Sequence, residues 1–133
     1  IAGGGDTLAA IAKYGIEKQV GYSRAVVQGD WCFVAGTTGP DPETRQFPDS
    51  VQDQTANALA IIGKALADGG FSFADVVKAT YYITDPSYWD LIGPVLGGVF
   101  GEVRPAATCV VAGLIRPEMK IEIEVTALRR GDS

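Results

Sequence analysis

The sequence predicts a single α+β domain, a mixed sheet carrying two helices on one face. Three observations carry this prediction. The segment order reads strand-strand-helix-strand-helix-strand-strand, with a strand pair on either side of the helical section. Near the C-terminus Met119, Ile121, Ile123, Val125 and Ala127 alternate with Lys120, Glu122, Glu124 and Thr126, the period of two expected where one strand face meets a core. A length of 133 residues and 47% hydrophobic content suffice for one buried core.

Residues 1–21 read as an N-terminal extension, Gly-rich at first, with a short helix over Thr7–Tyr14 that Asp6 caps and Gly15 ends. The domain proper is read over 22–133. Tyr22–Val27 and Trp31–Ala35 are two strands, and the Gln28-Gly29-Asp30 connection between apolar runs signals a hairpin. Thr37–Pro48 mixes Gly, Pro, Asp and Thr without period and is a loop.

Ser50 followed three residues later by Asp53 resembles a capping box. The helix it opens runs to about Asp68, with Leu59, Ile62 and Leu66 on one stripe and Gly69-Gly70 as its stop. Val77, Ala79, Tyr81 and Ile83 alternate with Lys78, Thr80, Tyr82 and Thr84, a half-buried strand. Asp85-Pro86 starts a second helix that reaches Phe100, with a kink expected near Pro94. Ala106–Ala112 and Lys120–Leu128 are the last strands. With both helices on one face, the other face needs cover, and contacts between subunits would supply it.

Composition narrows the chemistry. The net charge of −5 disfavours nucleic acid and anionic membranes as partners, since both need clustered Lys and Arg. The adjacent pair Arg129-Arg130 reads as a solvated tail. The chain has no histidine, which excludes His metal sites and Ser-His or Cys-His nucleophile pairs. A general acid or base must be a carboxylate, Lys, Tyr, Cys or a held water. Cys32 and Cys109 sit in apolar runs and read as buried free thiols. No apolar run approaches the roughly 18 residues of a membrane span, and no signal-peptide pattern is visible. A cytoplasmic location is expected. The chain begins at Ile1 rather than Met, so its natural N-terminus is expected to be missing or replaced.

Four segments resemble the RidA/YjgF family, the reactive-intermediate deaminases, also known as the endoribonuclease L-PSP type. They are Gly21-Tyr22-Ser23-Arg24-Ala25-Val26-Val27 leading to Val34-Ala35-Gly36-Thr37, the helix from Gln54 to Gly70, Asp75–Thr80 with Ile83-Thr84-Asp85, and Pro105-Ala106-Ala107-Thr108-Cys109 with Lys120-Ile121-Glu122-Ile123-Glu124. The resemblance covers Tyr22 to Leu128. It implies a chorismate-mutase-like fold, a homotrimer with clefts between neighbouring subunits, and cofactor-free hydrolysis of imines and enamines to a keto acid and ammonia.

Residue by residue, the resemblance implies Tyr22 as the cleft tyrosine and Gly36 as the glycine whose carbonyl faces the substrate nitrogen. It implies Cys109 as a cleft-lining cysteine and Glu122 as the glutamate that holds or activates water. The chain departs from the family at three other positions. Ala107 stands where the deaminases have a carboxylate-binding arginine, Gly93 where asparagine is frequent, and Thr37 where glutamine is frequent. A lost charged hydrogen bond costs about 1.5–3 kcal/mol, roughly ten- to hundredfold in binding. Arg24 and Arg104 are the candidate replacements, against the plainer reading that both are surface arginines. Arg24 enters because residues 22 and 24 of one strand share a face.

These residues lead to a Rid-type hydrolase of a small imine, enamine or related C–N compound, with a substrate unlike that of the arginine-containing deaminases. The alternative is a non-catalytic trimer that binds a metabolite or partner, which Ala107 and Gly93 motivate by removing polar handles. Ribonuclease activity, attributed to some relatives, fits the acidic, histidine-free chain least. No cofactor or metal is expected.

Overall fold

The computed structural model describes residues 21–129. In chain order the elements are β1 (Ala25–Gln28), β2 (Trp31–Thr37), α1 (Val51–Asp68), β3 (Val76–Ile83), α2 (Tyr88–Phe100), β4 (Ala106–Val111) and β5 (Ile121–Leu128), with a 3-10 turn at Phe73–Asp75 before β3. The strands form one sheet in the order β1-β2-β5-β3-β4. All neighbours are antiparallel except β3 and β4, which are parallel. The predicted α+β class and element order therefore hold. The helix read over Thr7–Tyr14 and Arg130 lie outside the described residues.

β5 is central because its alternation is cleanest. Ile121, Ile123 and Ala127 are fully buried and Val125 nearly so, while Glu122, Glu124, Thr126 and Leu128 remain half-exposed on the opposite face. The buried row meets both helices. α1 contributes Leu59, Ile62 and Leu66, as its spacing predicted, and α2 contributes Ile92, Leu96 and Phe100. Each large side chain taken fully from water stabilises the fold by about 1.5–3 kcal/mol, so these rows dominate its stability.

Ser50 caps α1 as expected, its Oγ accepting from the Asp53 N–H at 3.0 Å. One turn later Gln54, fully buried, ties three segments together. Its amide donates to the Pro48 carbonyl at 2.7 Å and the Glu118 carbonyl at 3.0 Å, and its oxygen accepts from the Lys120 N–H at 2.9 Å. The entrance to β5 is thereby fixed against α1.

Several local expectations are corrected. The first strand begins at Ala25, so Tyr22 and Arg24 precede it and their proximity does not come from strand periodicity. The stripe predicted to begin at Val77 begins at Val76 instead, because a bulge between Val76 and Lys78 shifts the pairing with β5. α2 starts at Tyr88, since Asp85 folds a turn of its own by accepting from the Ser87 N–H at 2.8 Å and the Ser87 hydroxyl at 2.7 Å. The helix runs uninterrupted through Pro94; a proline in the second turn removes one ladder bond without ending the helix. Cys32 is buried and free as expected, whereas Cys109, on edge strand β4, is only half-buried.

Candidate functional site

The end of β2 and the middle of β5 build the polar heart of the molecule. A register shift between Val34 and Thr37 pairs Thr37 with Ile123 and bulges Ala35-Gly36 outward. Gly36 lies directly against Glu122. A β-carbon added to Gly36 would come within 3.0 Å of both the carboxyl carbon and Oε2 of Glu122. A larger residue there would push the Glu122 carboxylate aside, so glycine lets backbone and carboxylate meet.

Arg24 organises this end of β2. It is 8% exposed, so it is not a surface arginine. Its Nη1 donates to the Gly36 carbonyl at 3.2 Å, to the Thr37 hydroxyl, and more weakly to the Ala35 carbonyl at 3.5 Å. The Thr37 hydroxyl in turn donates to the Ala35 carbonyl at 2.8 Å. The guanidinium lies 5.9 Å from the centre of the half-exposed Tyr22 ring.

Glu122 is only partly accessible, and burial raises its pKa above the ordinary carboxylate value. The neighbouring Glu124 adds to that rise and Arg24 opposes it. In register beside Glu122 on β3 is Tyr82, whose hydroxyl donates to Glu124 at 3.2 Å. A concavity of about 190 Å³ continues along this face, lined by Phe33, Lys78, Thr80, Glu124 and Thr126.

Tyr22, Arg24, Gly36, Thr37 and Glu122 are thus neighbours, joined through Arg24. Thr37 is 2% exposed and takes part only through internal bonds. Ala107 and Cys109 are elsewhere. The parallel register pairs Ala107 with Ala79 and Cys109 with Tyr81, both core residues, which puts them on the helix-covered side of the sheet. Glu122 and Tyr82 point from the other side. One chain alone does not bring the two sets together. Burial raises the pKa of the Cys109 thiol, which disfavours thiolate chemistry. Arg104 is exposed and lies two residues before β4 with φ at 54°, its N–H held by the Phe100 carbonyl at 2.9 Å.

By sequence alone Tyr82 reads as a packing or interface residue and Glu124 as a structural or exposed acid. The signal that could have paired them was the alternation itself, which puts Tyr82 on the polar row of β3 just as it puts Glu124 on that of β5.

Residues 13–129 match the family model described as Endoribonuclease L-PSP. The chain belongs to this family, the RidA/YjgF family. Within it, a RutC family protein of Pyrococcus horikoshii is 33% identical over 109 residues, spanning 81% of this chain and 86% of the relative. The putative reactive intermediate deaminase TdcF of Escherichia coli is 31% identical over 111 residues, spanning 81% and 86%. Among solved structures, a YjgF-family member from Mycobacterium tuberculosis superposes with a TM-score of 0.78 at 41% identity, covering 85% of this chain and 91% of that one. Escherichia coli TdcF with bound serine gives a TM-score of 0.76 at 30% identity, covering 82% and 88%. The sheet and its two helices are the YjgF/RidA architecture.

Proposed function

We propose that this RidA-family protein hydrolyses a small imine or enamine at a cleft between subunits of a homotrimer. The observation that carries the reading is the close approach of the Glu122 carboxylate to Gly36, the glycine whose carbonyl the family resemblance assigns to the substrate nitrogen. Curated relatives named as reactive intermediate deaminases, and TdcF crystallised with serine, support a small nitrogen-containing substrate.

The chemistry needs only the groups at hand. Water adds to the C=N carbon while Glu122 takes one of its protons. Glu122 passes that proton to the nitrogen, whose N–H donates to the Gly36 carbonyl, giving a carbinolamine. Glu122 then relays the carbinolamine hydroxyl proton to the same nitrogen as the C–N bond breaks, leaving a carbonyl compound and ammonia. A pKa raised by burial suits a carboxyl group that must accept a proton and then return it. Tyr22 forms part of the wall on this side. Ala107 and Cys109, on the opposite sheet face, complete the cleft only from a neighbouring copy, which supports an inter-subunit site. With Ala107 in place of arginine, the substrate lacks a carboxylate at that point or Arg104 meets it.

Freshly generated imines, with the product carbonyl trapped as its semicarbazone, test the reading. Hydrolysis that disappears in Glu122→Ala supports it, and an unchanged rate in that variant removes the mechanism. Ala107 is exposed and Gly93 has open space around it, which favours a second reading as a metabolite-binding trimer. A ligand that raises the melting temperature and is recovered chemically unchanged would favour that reading.

A further inference from the structure

Arg24 was one of two residues able to stand in for the missing carboxylate-binding arginine, and the structure gives it different work. Its Nη1 already has three acceptors, all on the bulged end of β2, and its ring contact is with Tyr22. All three bonds come from Nη1, so that nitrogen of the buried guanidinium is tied to the end of β2. Two of the acceptors, the Gly36 carbonyl and the Thr37 hydroxyl, bracket the point at which β2 approaches Glu122.

We infer that Arg24 is a positioning residue: it fixes the bulge of β2 at which Gly36 meets the Glu122 carboxylate, and it does not grip a substrate carboxylate. This rests on the site assignment made above. Among the described residues, the charged and titratable groups around Glu122 are Arg24 from the segment before β1, Glu124 on β5 and Tyr82 on β3. Among the described residues Arg24 is the cation acting on Glu122, and it opposes the effects of burial and Glu124. The inference therefore gives Arg24 two separable effects, one on backbone geometry and one on charge.

The full chain labelled for NMR separates them. In Arg24→Gln the side-chain titration of Glu122 moves to higher pH, and the Gly36 and Thr37 amide signals shift. In Arg24→Lys the titration returns towards that of the unaltered chain while the amide shifts persist, because an ammonium keeps the charge and loses the fork. With two imines that differ only in a carboxylate or its amide, kcat falls by the same factor for both in Arg24→Gln.

Unmoved Glu122 and Gly36 signals in a folded Arg24→Gln chain overturn the inference. So does a KM rise of about ten- to hundredfold confined to the carboxylate substrate, the signature of a carboxylate anchor. If Arg24→Gln does not fold, Thr37→Val removes one acceptor and leaves the charge; a Gly36 signal that stays put in that variant is equally fatal. The NMR readings need no turnover. A chain inactive on every imine would end the hydrolase reading while the role of Arg24 is still decided by the titration and the amide signals.

Discussion

The two faces of the sheet are built from the same strands and obey different rules. On the helix side, Ile121, Ile123, Ala79, Ile83 and Cys32 are fully buried against α1 and α2, and no charged residue intrudes. On the open side the same strands present Glu122, Glu124, Tyr82, Lys78 and the stacked pair Trp31 and Phe33, whose ring centres are 6.0 Å apart. Trp31 is 42% exposed and Phe33 47%. A large aromatic pair on a face that also carries acids is poorly suited to water alone. The contrast teaches that the helix face stabilises the fold, while the open face carries the acids, the polar row and the exposed aromatic pair.

The largest expected effect separates chemistry from stability on the open face. Glu122→Gln should lower the rate of imine hydrolysis by about 10²–10⁴-fold, the usual contribution of a positioned acid-base group. The same variant should gain stability near neutral pH. Because the folded-state pKa of Glu122 is raised, its contribution favours folding below the unfolded pKa and is lost as pH rises through the folded pKa. Urea unfolding of both chains should show the advantage of the variant at pH 7 and none below about pH 4. An advantage that grows on acidification would contradict the direction of that shift.

On the helix face, Ile123→Ala should cost about 2–5 kcal/mol by removing a fully buried side chain from the centre of the sheet. Its neighbour across the sheet plane, Glu124→Ala, should cost far less. Equal losses in chemical denaturation would erase the distinction between the faces.

Phe33→Glu tests the open face as a contact between copies. Burying an unpaired carboxylate there should weaken assembly by about a hundredfold or more, from a penalty of about 3 kcal/mol, with circular dichroism unchanged. Sedimentation identical to that of the unaltered chain would mean that this face is not the interface. The smallest effect concerns Tyr82, whose pKa is raised first by the charge of Glu124 and then by their hydrogen bond. Glu124→Gln should bring the phenol titration, followed by ultraviolet absorbance, down towards the ordinary tyrosine range.

Much of this was legible in the chain. The alternation of β5, the Ser50 cap and the Leu59, Ile62, Leu66 stripe are patterns among residues close in sequence, and the structure follows them closely. Errors arose where a bulge or a local turn intervened, as at Val76, at Tyr22 and at Asp85. A bulge inserts a residue to suit the partner strand, and that partner is far away in sequence. The role of Arg24 was hidden for a similar reason. Its acceptors are eleven to thirteen residues away, on a strand end whose shape is set by pairing with β5.

By itself the sequence determined the α+β class, the order of the elements, the row of β5 that faces the core and the position of Glu122 on the opposite row. All of these follow from periodicity and capping, which neighbouring residues encode. Tertiary structure alone decided that Ala107 and Cys109 face away from Glu122 and that Arg24 is buried among the carbonyls of β2. Both depend on register, of β4 with β3 in the first case and of β2 with β5 in the second, and register is settled only when strands distant in the chain pair over a common core.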